Sequence, residues 1–216
     1  GAWDQDAATY ACSPSAAIME EVGGDWLKDL VGLPQIASDA FVTGCQMAHV
    51  TALAAARHRV RADRGWSVEE QGLAGSAPIR VLVGEHHETV TRALRHLGIG
   101  SAAVVRVPLK ETGTIDVYDL RAELERDPEA PTIVSLAAGD LNRGAFDPFG
   151  EICDLAHGYS EHRAWVHVDG AFGLWVAASK RFRHLVRGIE TADSWATDGH
   201  KWLNVPYDSG TAVVAA

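Results

Sequence analysis

The stretch Trp165-Val166-His167-Val168-Asp169-Gly170-Ala171 decides the fold. It reads as a buried apolar strand that delivers one acid at its C-terminal end, followed by residues small enough to leave the backbone open there. Working outward, apolar strand candidates recur at 79–83, 102–107, 132–136, 194–197 and 211–214, and Phe41-Val42 ends another before Thr43-Gly44. Helical patterns lie between them at 88–97, 117–126, 148–159 and 179–189, with an alanine-rich helical stretch at 48–60. Strands alternating with helices predict an α/β fold of three layers, a mainly parallel sheet covered by helices on both faces. Upstream, Ser13-Pro14 fits an N-cap followed by proline at the first helical position. Ile18, Val22, Trp26, Leu27 and Leu30 then recur at helical spacing up to Gly32, which predicts a surface helix packing one face.

The 216 residues suffice for one substantial core, and neither an internal repeat nor a proline- or glycine-rich linker divides them. A formal net charge of -10 argues against a nucleic-acid partner, whose phosphates need a basic surface. No apolar run approaches the roughly 20 residues of a membrane span, and no basic-then-apolar signal opens the chain. A cytoplasmic protein with no membrane partner is therefore expected. Cys12, Cys45 and Cys153 are odd in number, far apart and without Cys-x-x-Cys spacing, so reduced structural thiols are expected. The histidines form no His-Glu-x-x-His pattern, and no metal site is expected.

Ligands of parallel α/β sheets bind outside the carboxyl ends of the strands. The residues just past each predicted strand are therefore the candidates: Gly44-Cys45-Gln46, His86-His87, Gly139 to Asn142, Asp169 to Ala171, and Asp198 to Lys201. Lys201 stands between His200 and an apolar Trp202-Leu203, away from any charge run, unlike the usual solvated lysine. An acid and an amine at neighbouring strand ends can hold a cofactor between them. Pyridoxal 5'-phosphate needs both: a lysine to form a Schiff base with its aldehyde, and a carboxylate to keep its ring nitrogen protonated so that the ring withdraws electrons. Without Lys201, Asp169 would read as a turn or cap aspartate. His86 or His87 could lie flat on such a ring, although a histidine at a helix start is more often a polar rim residue. Gly44-Cys45-Gln46 leads into a helix whose unpaired N–H groups suit a phosphate ester; the motif is weak and matches neither the P-loop nor the dinucleotide glycine pattern. Asn142, in a turn-rich segment, serves equally as a cofactor hydrogen-bonding group or as a loop-shaping residue.

With these residues in place, the chain resembles the group II amino-acid decarboxylases, pyridoxal-phosphate-dependent enzymes with the aspartate-aminotransferase type of fold, fold type I. The matching segments are Ala7-Ala8-Thr9-Tyr10 with Ser13-Pro14, then 43–57, 85–90, 138–149, His167 to Ala171 and Asp193 to Gly210, in the family's order. The resemblance implies that Lys201 forms the Schiff base and that Asp169 pairs with the ring nitrogen. It implies further that His87, rather than His86, stacks on one face of the ring and Ala171 packs on the other. Gly44, Cys45 and Gln46 fall where the family binds phosphate, with Asp198 and His200 completing that site, and Asn142 borders the cofactor. Cys45-Gln46-Met47 is bulkier than the family's usual phosphate loop, and Asp198 is an odd neighbour for a phosphate.

By the same resemblance, residues 1–216 are a cofactor-binding large domain without the family's N-terminal segment and C-terminal small domain. The latter's mobile loop carries the family's proton-donating tyrosine, so this polypeptide is expected to keep the cofactor cradle while decarboxylating poorly or not at all as it stands. The implied partners are an L-amino acid substrate and a second copy of the chain, in a homodimer. An aminotransferase or a carbon-carbon lyase would use the same lysine and aspartate. A non-catalytic domain that has inherited the fold is the rival from a different class.

Overall fold

The strand formed by Trp165–Asp169 lies inside a seven-stranded sheet and determines how the rest is arranged. The computed structural model describes residues 9–215, so Ala7 and Ala8 of the matching segments lie outside the described residues. In chain order the elements are α1 (Pro14–Val31), β1 (Ser38–Val42), α2 (Cys45–Ala62), α3 (Val68–Gln71), β2 (Arg80–Val83), α4 (Glu88–His96), β3 (Val104–Arg106), α5 (Val117–Arg126) and β4 (Thr132–Ala137). They continue with α6 (Phe149–Gly158), β5 (Trp165–Asp169), β6 (Ser194–Asp198), α7 (Gly199–Trp202) and β7 (Gly210–Val214). The strand order is β1-β7-β6-β5-β4-β2-β3. β7 alone runs against its neighbours; the other pairings are parallel, as the alternation of strands and helices predicts.

Side-chain alternation along β5 feeds two cores. Val166 and Val168 pack with Val134, Leu136, Phe149 and Ile152 beneath α5 and α6, while Trp165 joins Leu53, Leu94, Val81 and Ile133 beneath α2 and α4. Leu53, Leu94, Ile133 and Ile152 are fully buried, and burial of each such side chain contributes about 1.5–3 kcal/mol. The period of two also puts His167 and Asp169 on the Trp165 side, facing α2.

Two expectations need correction. The helix predicted over 179–189 is replaced by short 3-10 turns at Leu174–Ala178, Arg183–Val186 and Ile189–Thr191. From Arg181 to Ile189 only Val186 and Ile189 are buried, so no continuous apolar stripe rewards a helix. Gly188 also turns the chain at φ +81, so close to Gly150 that a Cβ there would lie 2.6 Å from its backbone.

The second correction concerns α1. Ser13 caps it and Gly32 ends it in the left-handed region, as expected, but Ile18, Val22, Trp26 and Leu30 face outward and only Leu27 is partly buried. The buried face is Gly24, Lys28 and Val31. Lys28 Nζ pairs with Asp39 Oδ1 at 2.8 Å and donates to the carbonyls of Ala37 and Gln35 at 2.9 and 3.3 Å. At Gly24 any Cβ would collide with the Asp39 carboxylate. A buried ion pair, rather than the apolar stripe, therefore selects the face that α1 presents to β1.

Candidate active site

A cleft of about 200 Å³ opens at the carboxyl ends of β2, β4, β5 and β6 and beside the start of α2. Its lining includes Gly44, Cys45, Gln46, His86, His87, Asn142, Asp169, Ala171, Asp198 and Lys201, so sheet topology gathers nearly every candidate read from sequence. His200 is the exception. It is set back from the lining, its Nε2 3.0 Å from Asp198 Oδ2 and its ring 4.6 Å from that of Tyr207.

Asp169 is fixed from two sides. Its Oδ1 accepts the Ala171 N–H at 3.1 Å, and its Oδ2 lies 3.5 Å from His49 Nε2. Burial opposes ionisation of Asp169, yet the imidazole of His49 and the Ala171 amide outweigh it and hold the carboxyl below the usual range. His49 is wholly buried one helical turn beyond Cys45, whose thiol lies 3.6 Å from the same Nε2. Burial disfavours charge on His49 as well, but Asp169 and Cys45 raise its pKa well above the ordinary histidine value. Burial pushes the Cys45 thiol up. Among the described residues, Cys45, His49 and Asp169 bring three potential metal-ligand atoms within 4.8 Å of one another, a grouping that motif spacing did not suggest.

The start of α2 is built by glycine. Gly44 adopts φ +91 as N-cap and offers no side-chain cap, which leaves first-turn N–H groups directed at the rim. β7 passes so close that a Cβ on Gly210 would lie 2.3 Å from the Gly44 carbonyl, a position only glycine can occupy. The bulk of Cys45-Gln46-Met47 is turned aside. The Cys45 thiol faces His49, the Gln46 amide donates to the Thr89 carbonyl at 3.1 Å, and Met47 is exposed.

Lys201 sits on α7 directly after β6. Contrary to the sheltered position expected, its side chain is exposed, with Nζ 4.3 Å from the centre of the Phe172 ring. That cation-π contact holds the amine over the cleft. His87 is exposed and caps α4 by accepting the Thr89 N–H at 3.4 Å; His86 is half-buried, its Nε2 3.0 Å from Thr91 Oγ1. Asn142 is shaped by Asp140, whose carboxylate accepts the N–H groups of Asn142 and Arg143 at 3.2 and 2.6 Å. Among the described residues, the buried Gln46 Oε1 and Asp198 Oδ1 of the lining have no hydrogen-bond partner. A cleft with an amine, an acid and an uncapped helix start suits a polar, anionic, ring-bearing ligand.

Residues 2–215 match the family described as the pyridoxal-dependent decarboxylase conserved domain. The chain belongs to this family. It is 33% identical over 193 residues, 88% of its length, to an aromatic-L-amino-acid decarboxylase of Bacillus atrophaeus. It is 32% identical over 199 residues, 90% of its length, to a cysteine sulfinic acid decarboxylase of Rattus norvegicus. It covers 38% and 39% of those two proteins, so it spans less than half the length of the relatives it matches. A crystal structure of mouse CSAD superimposes with a TM-score of 0.88 at 28% identity, over 99% of this chain and 44% of that one. An Oryza sativa TDC structure with PLP and tryptamine gives 0.84 at 28% identity, over 95% and 45%. The decarboxylase fold is thus established by sequence and by shape, and pyridoxal phosphate is the family's cofactor.

Sequence reasoning passed over His49, His167, Ser194, Phe172 and Tyr207. Two signals were available for the histidines: Cys45 and His49 are spaced i, i+4 on one helix, and His167 and Asp169 are spaced i, i+2 on one strand.

Proposed function

We propose that this protein is a pyridoxal-phosphate-dependent decarboxylase of an L-amino acid, with the cofactor held in the cleft between Lys201 and Asp169. The observation that carries the reading is the convergence of those two side chains, from β5 and α7, on one cleft edged by the uncapped start of α2. When bound, the cofactor supplies an electron sink for the bond that breaks at the substrate's α-carbon. The chain's own groups do the rest. The Lys201 amine, steadied at the rim by Phe172, would tether the cofactor. Asp169, held ionised and aimed by Ala171 N–H and His49, keeps a proton on the ring nitrogen. The amides of Cys45 and Gln46 would hold the phosphate, and Asp198 with His200 would order the opposite wall. His87 and Ala171 would lie on either face of the ring, with Asn142 at its border.

Carbon dioxide release from a panel of aromatic and acidic L-amino acids, without any keto acid present, tests this reading. Turnover only when a keto acid is supplied would instead indicate an aminotransferase. These 216 residues by themselves are expected to bind cofactor more readily than they turn over, because no side chain lining the described cleft is assigned as the proton donor. A homodimer is proposed with it: the exposed apolar row Ile18, Val22, Trp26 and Leu30 is the kind of surface that protein contacts cover. Sedimentation as a monomer at micromolar concentration would argue against that. Among the described residues no helix is long and apolar enough to cross a membrane, and a cytoplasmic location fits the free thiols of Cys12, Cys45 and Cys153.

A further inference from the structure

Behind Asp169, His49 is the first of a buried file of polar side chains whose further members the reaction scheme above does not use. Trp165 Nε1–H donates to Ser194 Oγ at 2.9 Å, and Ser194 Oγ lies 2.9 Å from His167 Nδ1. His167 Nε2 lies 2.9 Å from His49 Nδ1, the two rings meeting edge to face at 75°. His49 Nε2 completes the file at Asp169 Oδ2. Both histidines are wholly buried, and so is Ser194.

Two proton arrangements satisfy these distances. In the first, Ser194 O–H donates to His167, His167 Nε2–H to His49, and His49 Nε2–H to Asp169; both imidazoles are neutral. The second carries one more proton: His49 is an imidazolium donating to both Asp169 and His167, and His167 donates through Nδ1 to Ser194. In either arrangement a His49 N–H points at Asp169, so the carboxylate keeps its hydrogen bond while the net charge behind it changes by one.

We infer that His49, backed by His167 and Ser194, is a positioning residue that balances the charge of Asp169: it is an imidazolium while Asp169 has no other cation, and it releases one proton to solvent when a protonated ring nitrogen pairs with that carboxylate. This rests on the assignment of Asp169 to the ring nitrogen. The argument is electrostatic. Two cations sharing one carboxylate in a buried site repel, whereas shifting to the neutral arrangement removes the repulsion and breaks no hydrogen bond to Asp169. The titratable groups facing His49 are Cys45 on its own helix and His167 and Asp169 on β5, with Asp198 acting on Cys45 from β6. Burial and the neighbouring His49 push His167 down, which agrees with His49 as the ring that carries the extra proton.

The test is a count of protons released on cofactor binding, by calorimetry near neutral pH in two buffers of different ionisation enthalpy, for the wild type and His49→Asn. Asparagine cannot titrate, and its amide can take the place of His49 Nδ1 against His167. The wild type should release about one proton more per site than the variant, because contributions from the cofactor and Lys201 are common to both. Equal counts in two proteins that both bind would overturn the inference. Should His49→Asn fail to fold or to bind, the 15N spectrum of imidazole-labelled wild type without added cofactor decides. A doubly protonated His49 ring beside a singly protonated His167 ring at pH 8 supports the relay, and two neutral rings contradict it. Absorbance of the lysine-bound cofactor reports the Lys201 assignment separately, so failure there is not confused with failure of the relay.

Discussion

At Asp169 two demands compete, since a carboxylate inside a sheet end is costly to ionise and yet is useful to a ring nitrogen only when ionised. His49 and the Ala171 amide resolve this before any ligand arrives. Asp169→Asn preserves shape and removes the charge, so cofactor occupancy should survive while decarboxylation by the complete enzyme falls by roughly 10³-fold. Comparable losses in cofactor affinity and in turnover would contradict the role given to the carboxylate. The pair also sets a pH window for stability. His49 has a folded pKa raised from 6.5 to about 10, so its contribution is whole below 6.5 and drains away as pH rises toward 10; Asp169 is depressed from 3.8, so its contribution is whole above 3.8 and is lost as pH falls toward about 2. Without added cofactor, the melting temperature of the wild type should decline from pH 6.5 to 9. His49→Asn should lack the part of that decline due to the pair. At this scale the sequence disclosed Asp169 and Lys201, because an acid ending an apolar strand and a lysine beside apolar residues are local features. His49 and His167 acquire meaning only when α2 is laid on β5, a pairing fixed by tertiary packing.

Among the elements, α1 shows how a polar contact can override an apolar pattern. Its apolar residues keep helical spacing, but the Lys28–Asp39 pair and the close fit at Gly24 set the angle at which the helix meets β1. Lys28→Ala leaves Asp39, nearly buried, without its cation and should destabilise the protein by about 3 kcal/mol, read from urea unfolding. A loss below about 0.5 kcal/mol would mean that the pair is an ordinary surface contact. Most strands were legible to within a residue or two because their apolar runs are short and bounded, although β3 is shorter than the 102–107 run suggested. The 3-10 turns between 174 and 191 were not legible, since the spacing of Phe182, Leu185, Val186 and Ile189 imitates a helix while Phe182 and Leu185 face solvent.

For the whole molecule, the sheet is tied at the end remote from the cleft by Asp193. Its carboxylate accepts the Val166 N–H at 2.7 Å and pairs with His157 Nε2 at 2.9 Å and with Arg163, joining β5, α6 and the start of β6. Asp193→Ala should cost about 3 kcal/mol of unfolding free energy without altering the cleft, so cofactor spectra of the folded variant should match the wild type. The three-layer architecture followed from alternation alone, whereas the antiparallel β7 and the interleaved strand order did not, because pairing partners are not encoded in local periodicity. The central claim, that the cleft carries its cofactor on Lys201, is tested most directly by adding pyridoxal phosphate, reducing with borohydride and mapping the peptides. Of the four lysines, Lys28, Lys110, Lys180 and Lys201, the account predicts stoichiometric labelling of Lys201 alone. Labelling spread over Lys110 and Lys180, or persisting undiminished in Lys201→Ala, would contradict it.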